Sequence, residues 1–382
     1  MAGRKKAPPA KVKASPGAED QETELFDELG EGFPPAERKV VTQSYDLSVQ
    51  TLTDEWDAGS LYLPEIQREY VWDNRRASKL VESLLLNIPI PVLYLAETDD
   101  AKWEIFDGHQ RVQSVVRFLS NEFRLSGLTV LSEHNGSRFH QLPDREQRFL
   151  KTRMMRAVVI AADSHPSMKF EIFERLNTGA IILNAQELRN SIYRGPFNDL
   201  LHELVKDEKF RACIGTASPR KRMIDEEFVL RFFGLRAGLN SYRPPLKKFL
   251  NDYMHTNQEP TKASLTKHRR LFLDTVESIH AVFGPNAFKP TDRNGKATER
   301  APNRALFDAQ MLAFSWAAKN TDFSKKAKTV NKKFGALYQN EGFVDSISLA
   351  TGDRSRLLAR VQYAVDALTR SRVVVRHKIP KR

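Results

Sequence analysis

The chain has almost no cysteine, no long apolar run and no recognisable export signal. Cys213 is the one cysteine among 382 residues, which excludes an internal disulfide and a cysteine-based zinc cluster. The best candidate for a membrane span, 84–96, contains Pro89 and Pro91 and is too short to cross a bilayer. The N-terminus is basic but lacks a following apolar block, so it does not form a secretory signal. We therefore expect a cytoplasmic protein of a reducing compartment, with no membrane partner.

Acidic residues are in the minority, and the basic excess is clustered. The formal net charge is +12, from 60 Lys and Arg against 48 Asp and Glu. Residues 319–333 hold six lysines and one acid, and 369–382 hold six Lys or Arg and no acid. A third, short cluster ends at Arg222. Because Lys and Arg displace counterions from nucleic acid, these clusters predict DNA as a partner. The alternative is a set of solvated, solubilising faces.

The hydrophobic pattern divides the chain into four parts. Residues 1–40 are predicted to be a disordered basic, Pro- and Ala-rich tail. Residues 41–195 alternate strand and helix patterns and are predicted to form an α/β core. Residues 196–370 carry helical periodicity almost throughout, and 371–382 form a basic tail. The predicted fold class is α+β: a small mixed sheet with helices, followed by an all-helical region.

A strand that turns directly into a helix is predicted at "KWEIFDGHQRVQSVVRFL", residues 102–119. The first N–H groups of such a helix lack partners, and the helix dipole makes that end positive. Gly108 permits a tight turn and close approach of a ligand, and Arg111 can grip a phosphate with two donors. The joint therefore meets the requirements of an anion site. The ordinary alternative is a helix cap, with Arg111 paired to a surface carboxylate.

The remaining side chains of this stretch suggest chemistry beside a bound phosphate. Asp107 either caps the helix or holds a metal ion or a water molecule. His109 can donate to an anion or carry a proton near neutral pH. Gln110 can orient a water molecule. No Gly-x-x-x-x-Gly-Lys-Ser/Thr loop occurs, so this is not a P-loop site.

Three motifs in order give the chain a resemblance to a known family. "FDGHQRVQSVVRFL" (106–119) resembles the Asp-Gly-Gln-Gln-Arg signature of the GmrSD restriction-endonuclease N-terminal domain family. "LPEIQREYVWDNRRASKLVESLLLNIPIPVLYLAE" (63–97) resembles its opening, and "FERLNTGAIILNAQELRNSIYRG" (173–195) resembles a later block. The resemblance spans about residues 45–315. It implies a fold similar to ParB and sulfiredoxin, in which a Gly-x-x-Arg turn holds nucleotide phosphates.

The resemblance also assigns site residues in this sequence. Those that fill its phosphate-binding and catalytic positions are Asp107, Gly108, Gln110, Arg111, Gln67, Arg68, Asn177, Thr178 and Gly179. Arg68 has an alternative as a structural ion-pair partner, and 177–179 would look the same as a plain helix C-cap. His109 stands where the family usually has glutamine, a change that keeps phosphate contact and puts hydrolysis in question.

The function that follows is binding of a nucleoside triphosphate, with hydrolysis as the favoured activity, in restriction and phage defence. Asp107, His109 and Gln110 are the predicted catalytic residues, and Asp107 is the predicted Mg²⁺ ligand. A nuclease in the same system is expected on a separate polypeptide, since the histidines after residue 200 are scattered. Two alternatives remain: a non-catalytic DNA-binding module, and a ParB-like metal-dependent nuclease with Asp107 and Glu174 as ligands.

Overall fold

The structure is a computed structural model that describes residues 38–63, 70–176, 183–292 and 296–379. The strands are β1 (Thr42–Ser48), β2 (Leu61–Tyr62), β3 (Leu93–Glu97), β4 (Trp103–Asp107) and β5 (Met154–Ile160). The helices are α1 (Val49–Asp57), α2 (Asn74–Leu85), α3 (His109–Leu119), α4 (Asp144–Thr152), α5 (Pro166–Leu176), α6 (Ala185–Ile192), α7 (Pro196–Leu204), α8 (Glu208–Ile214), α9 (Ile224–Gly238), α10 (Leu246–Thr256), α11 (Lys262–Phe283), α12 (Arg304–Ser315), α13 (Phe323–Leu337), α14 (Glu341–Ser348) and α15 (Arg354–Arg370). Short 3₁₀ helices lie at Ser132–His134, Phe139–Gln141, Lys221–Met223 and Gly284–Asn286.

The five strands form one mixed sheet in the order β1-β5-β3-β4-β2. β1 pairs antiparallel with β5, and β3 pairs antiparallel with β4. β5 pairs parallel with β3, and β4 pairs parallel with β2. The strand that carries the candidate motif, β4, therefore lies inside the sheet: β2 pairs with its first two residues, and β3 pairs with it as far as Asp107.

Helices cover both faces of the sheet. Alternate strand residues point to opposite faces, so β4 contributes buried side chains to each of them. On one face, Ile105 of β4 belongs to a buried cluster with Val112 of α3 and residues of α1, α2 and α4. On the other face, Phe106 packs against a smaller cluster that includes Phe173 of α5 and Leu188 of α6. The α/β part is thus three layers deep, with the β4–α3 connection at the edge of the larger cluster.

The region from α7 to α15 has its own core. A single buried cluster runs from Tyr193 to Val373. At its centre the carboxylate of Asp308 on α12 accepts from Arg231 of α9 and Arg360 of α15, all three almost fully buried. A buried charge needs such pairing, because an unpaired one is costly in a low-dielectric interior.

The observed architecture confirms the α+β class and the helical second part. The likeness to ParB and sulfiredoxin, and the four boundaries drawn from the sequence, stay predictions. Residues 1–37 of the predicted N-terminal tail lie outside the described residues. Among the described helices, none combines the length and apolarity that a bilayer span requires.

Candidate functional site

The connection between β4 and α3 is a tight turn at Gly108. β4 ends at Asp107, α3 begins at His109, and Gly108 has a φ of 96°. This left-handed backbone suits glycine and strains other residues. A Cβ atom at Gly108 would collide with Leu93 and would lie 3.1 Å from Nη2 of Arg111. The predicted tight turn is confirmed, and protein side chains fill the space on the Cβ side of the glycine.

Within the described residues, the N-terminus of α3 leaves its first backbone N–H groups without a side-chain cap, because the residue at the cap position is Gly108. Uncapped N–H groups and the helix dipole stabilise negative groups at such an end. The carboxylate of Asp107 does not serve as the cap. It pairs with Arg111 one turn into the helix.

Arg111 lies at the turn and is bonded to three protein acceptors. Its Nη2 donates to Oδ2 of Asp107 at 2.8 Å, and its Nη1 donates to the carbonyl oxygens of Pro91 and Val92. The side chain is only 11% exposed. Burial lowers the pKa of Arg111, and the Asp107 carboxylate opposes that effect. Through these bonds Arg111 connects the residues before β3 to the end of β4. An incoming phosphate would therefore share Arg111 with Asp107 or displace Asp107 from it.

The Gln110 side chain anchors the segment that leads into α2. Its Oε1 accepts from the backbone N–H groups of Val71 and Trp72 at 3.0 and 3.1 Å. Gln110 itself is 8% exposed, and the two hydrogen bonds are partly buried. In this conformation Gln110 is a positioning residue. Its role in orienting a water molecule stays a prediction.

His109 forms a hydrogen bond with the side-chain amide of its neighbour Gln110. Its Nε2 lies 2.8 Å from Nε2 of Gln110. Since the Oε1 of Gln110 already accepts two N–H groups, its amide nitrogen donates to His109, and we infer that the imidazole proton is on Nδ1. Burial lowers the pKa of His109, which also favours the neutral form of the imidazole. His109 can therefore donate a neutral hydrogen bond through Nδ1, while its Nε2 already accepts from the Gln110 amide.

Five predicted site residues lie outside the described residues: Gln67, Arg68, Asn177, Thr178 and Gly179. The described residues next to them in sequence do lie near the turn. The hydroxyl of Tyr70 is 2.8 Å from that of Ser114 on α3. The ring of Phe173, in the last turn of α5, stacks on Phe106 with a centroid distance of 3.3 Å. Roles for these five residues stay predictions.

The carboxylates considered for metal binding differ in their surroundings. Glu174 pairs with Lys247 of α10 at 3.0 Å, whereas Asp107 pairs with Arg111. Over 38–63, 70–176, 183–292 and 296–379, no group of three His, Cys, Asp or Glu side chains is arranged to hold a metal ion. Mg²⁺ binding at Asp107 stays a prediction.

Sequence reasoning missed Glu104, which lies three residues before Asp107 on β4. Glu104 is 3% exposed and forms an ion pair with Arg194, which also donates to the hydroxyl of Tyr62 at 3.1 Å. Burial raises the pKa of Glu104 to about 7, although Arg194 opposes it. The available signal was a carboxylate at an inward position of a predicted strand. Its partner, however, is 90 residues away in the sequence.

A cavity of about 610 Å³ lies elsewhere in the α/β part. It is lined by Asn74 at the start of α2 and by residues between 122 and 138. None of its lining residues belongs to the 107–111 motif. The cavity therefore does not enter the argument for the turn.

Comparison with known proteins gives one finding. No curated protein matches the chain. A family model, described as GmrSD restriction endonuclease, N-terminal domain, matches residues 49–194. This range contains β2 to β5 and the turn at Gly108, and it begins at the residue that follows β1. The match confirms the resemblance inferred from the three motifs: residues 49–194 of this chain are similar to the GmrSD restriction endonuclease N-terminal domain.

Proposed function

We propose that the turn between β4 and α3 binds the phosphate groups of a nucleoside triphosphate, and that the protein uses this nucleotide in restriction. The family match supports the restriction role, since its description names a restriction endonuclease. The observation that carries the phosphate site is the uncapped start of α3 at Gly108, with the Arg111 guanidinium held beside it. Hydrolysis of the nucleotide belongs to the same proposal.

The Asp107–Arg111 pair defines how a phosphate would enter the proposed site. The nearly buried guanidinium is neutralised by Asp107 at 2.8 Å. A phosphate has more negative charge than a carboxylate and can accept two parallel N–H bonds from Arg111. Binding would then exchange Asp107 for phosphate on Arg111. The released carboxylate would be available to Mg²⁺, which supplies charge neutralisation for phosphoryl transfer.

The other motif residues have supporting roles in this proposal. Gln110 fixes the 70–72 segment against α3, which keeps the first turn of the helix in place. His109, with its proton on Nδ1, offers an N–H donor to a phosphate, and its Nε2 could take a proton only after it loses the hydrogen bond from Gln110. A separate nuclease as the partner of this unit stays a prediction.

Calorimetric titration with ATP, GTP, CTP and UTP tests the proposal. We expect at least one of them to bind, and Arg111→Ala to weaken it roughly 10- to 100-fold, the worth of charge-assisted hydrogen bonds of about 1.5–3 kcal/mol. Asp107→Asn tests whether phosphate replaces Asp107 as the partner of Arg111. Without Mg²⁺ it should tighten binding, because the competitor for Arg111 loses its charge, and with Mg²⁺ it should weaken binding.

The exposed pair Asp46–Arg156 on the same sheet provides matched controls. Asp46→Asn and Arg156→Ala make the same changes in charge and should leave nucleotide affinity unchanged. Thermal unfolding of every variant shows whether lost binding reflects lost structure, and Arg111→Lys keeps the charge if Arg111→Ala is unstable. Failure of all four nucleotides to bind would overturn the proposal, as would equal affinities for Arg111→Ala and Arg156→Ala.

A further inference from the structure

The two largest basic clusters of the sequence meet on one surface of the helical region. Residues 372–378 run beside 316–318, with an antiparallel bridge between Ala317 and Val375. The backbone N–H of Ala318 donates to Val374 at 2.9 Å, and that of Arg376 donates to Trp316 at 2.9 Å. The C-terminal cluster is thereby fixed next to the chain that leads into α13. We call the combined surface, formed by α13 and 370–378, the α13/C-terminal surface.

Lysines occupy the face of α13 opposite its buried face. Phe323, Val330 and Phe334 are buried against the helical core. Lys325, Lys328 and Lys332 are exposed at the spacing i, i+3, i+7, which places them along one stripe of a helix. With a rise of about 1.5 Å per residue, this stripe extends roughly 10 Å along the helix axis.

Alternation along 372–378 sends the basic side chains of the second cluster to solvent. Val373 is buried, Val375 is partly buried, and the ring of His377 stacks on Trp316 with a centroid distance of 4.0 Å. The residues between them are exposed: Arg372, Val374, Arg376 and Lys378. An extended segment alternates its side chains in this way. The second cluster therefore presents a row of cations whose backbone is fixed. Nζ of Lys326 on α13 contacts this row by donating to the carbonyl of Arg372 at 3.2 Å.

The charge on this surface is mostly uncompensated. Asp322, which caps α13 and pairs with Lys325, is the one acid in 319–339 and 370–379. Lys328, Lys332 and Lys333 make no hydrogen bond or ion pair with other described residues. By contrast, the third basic cluster is paired within the protein: Arg220 pairs with Asp225, and Arg222 pairs with Glu187.

We propose that the α13/C-terminal surface binds the phosphate backbone of duplex DNA. A stripe of lysines beside a fixed row of arginines presents cations in two directions, which suits the regularly spaced charges of a duplex. The contacts are to phosphates, so binding is independent of sequence. This surface would supply the DNA contact that a role in restriction requires. The role in restriction rests on the proposed function, whereas the DNA contact is argued from the surface alone. The surface is distinct from the nucleotide site at Gly108.

The test uses the full chain, a fluorescent 20-base-pair duplex and a salt titration followed by anisotropy. The triple variant Lys328→Gln, Lys332→Gln, Lys333→Gln should lower affinity at least tenfold. It should also reduce the slope of log K against log salt by roughly 2–3, since each phosphate contact contributes about 0.9. The double variant Arg372→Gln, Arg376→Gln should show a reduction of roughly 1–2 in the same slope.

A second triple variant removes the same charge elsewhere. Lys206, Lys262 and Lys267 are exposed and lie after α7 and in the first part of α11. Lys267 is roughly 20 Å along α11 from Val282, the residue that α13 contacts through Asn331. Changing all three to Gln should leave DNA affinity within about twofold of the unchanged protein. Equal losses in the two triples, or none in either, would overturn the proposal, as would binding to anionic phospholipid vesicles without binding to DNA.

The same variants separate this inference from the nucleotide proposal. The α13 triple variant should retain nucleotide binding, and Arg111→Ala should retain DNA binding. If nucleotide binding fails in every protein while the α13 triple alone loses DNA, the surface stands and the nucleotide proposal falls. The reverse pattern leaves the nucleotide site and removes this surface.

Discussion

A single glycine determines how β4 enters α3. Gly108 combines a left-handed φ with contact distances that leave no room for a methyl group, because Leu93 and the Arg111 guanidinium fill that side. The glycine is therefore required for packing as well as for the turn. Arg111 depends on the same geometry, since its guanidinium lies directly over the glycine and reaches Asp107 from there.

Gly108→Ala should destabilise the protein by about 2–4 kcal/mol, through left-handed strain and the collision with Leu93. Gly136→Ala is the matched control, because Gly136 has a φ of 87° but open space around its Cβ position. It should cost only about 1–2 kcal/mol, the strain alone. Denaturant unfolding measures both. Equal losses would mean that Leu93 and Arg111 move aside at little cost.

At the level of elements, one buried amide joins α3 to the chain that precedes α2. Gln110 accepts from two backbone N–H groups, of Val71 and Trp72, and donates to His109. The segment has no strand or helix of its own in 70–73. Its backbone donors consequently depend on this side chain for partners.

Gln110→Leu should cost about 1–3 kcal/mol, because two partly buried backbone N–H groups lose their acceptor. Gln113→Leu, one turn later on α3 and 9% exposed, is the control and should change stability by less than about 1 kcal/mol. Hydrogen exchange gives the specific signature. The amides of Val71 and Trp72 should exchange faster in Gln110→Leu alone, and unchanged protection there would contradict the anchoring role.

At the level of the whole molecule, the α/β part and the helical part are linked through charged side chains as well as through the chain. Lys247 of α10 pairs with Glu174 of α5, and Glu104 of β4 pairs with Arg194 in the connection between α6 and α7, beside the start of the helical part. Glu104 is the more buried of these two carboxylates. Its charge is therefore the more sensitive to the packing of the two parts.

The raised pKa of Glu104 predicts a pH dependence of stability. Burial takes this pKa from 4.5 to about 7, so the folded protein keeps a proton between these pH values that the unfolded chain has lost. The free energy of unfolding should then fall as pH rises from about 4.5 to 7, by roughly 3 kcal/mol, and level off above 7. Glu104→Gln should remove this component. Identical pH profiles of unfolding for the two proteins would contradict it.

Local patterns in the sequence were enough for the fold class and for the place of the turn. Apolar spacing marked α3 and the helical region 196–370, and Asp-Gly after a strand pattern marked the joint at 107–108. These features depend on residues within a few positions of one another, where backbone geometry and helical periodicity act directly. The family resemblance added roles to the same residues.

Tertiary structure decided which partners those residues have. Arg111 reaches Asp107 and the carbonyls of Pro91 and Val92, Gln110 serves the backbone at 71–72, and Glu104 finds Arg194. The two basic clusters, 319–333 and 370–378, become one surface only because the C-terminal segment docks beside 316–318. Such pairings join positions tens of residues apart, and their burial sets their energies. Neither quantity is present in a local pattern, so the sequence located the chemistry and the packing determined how each group is held.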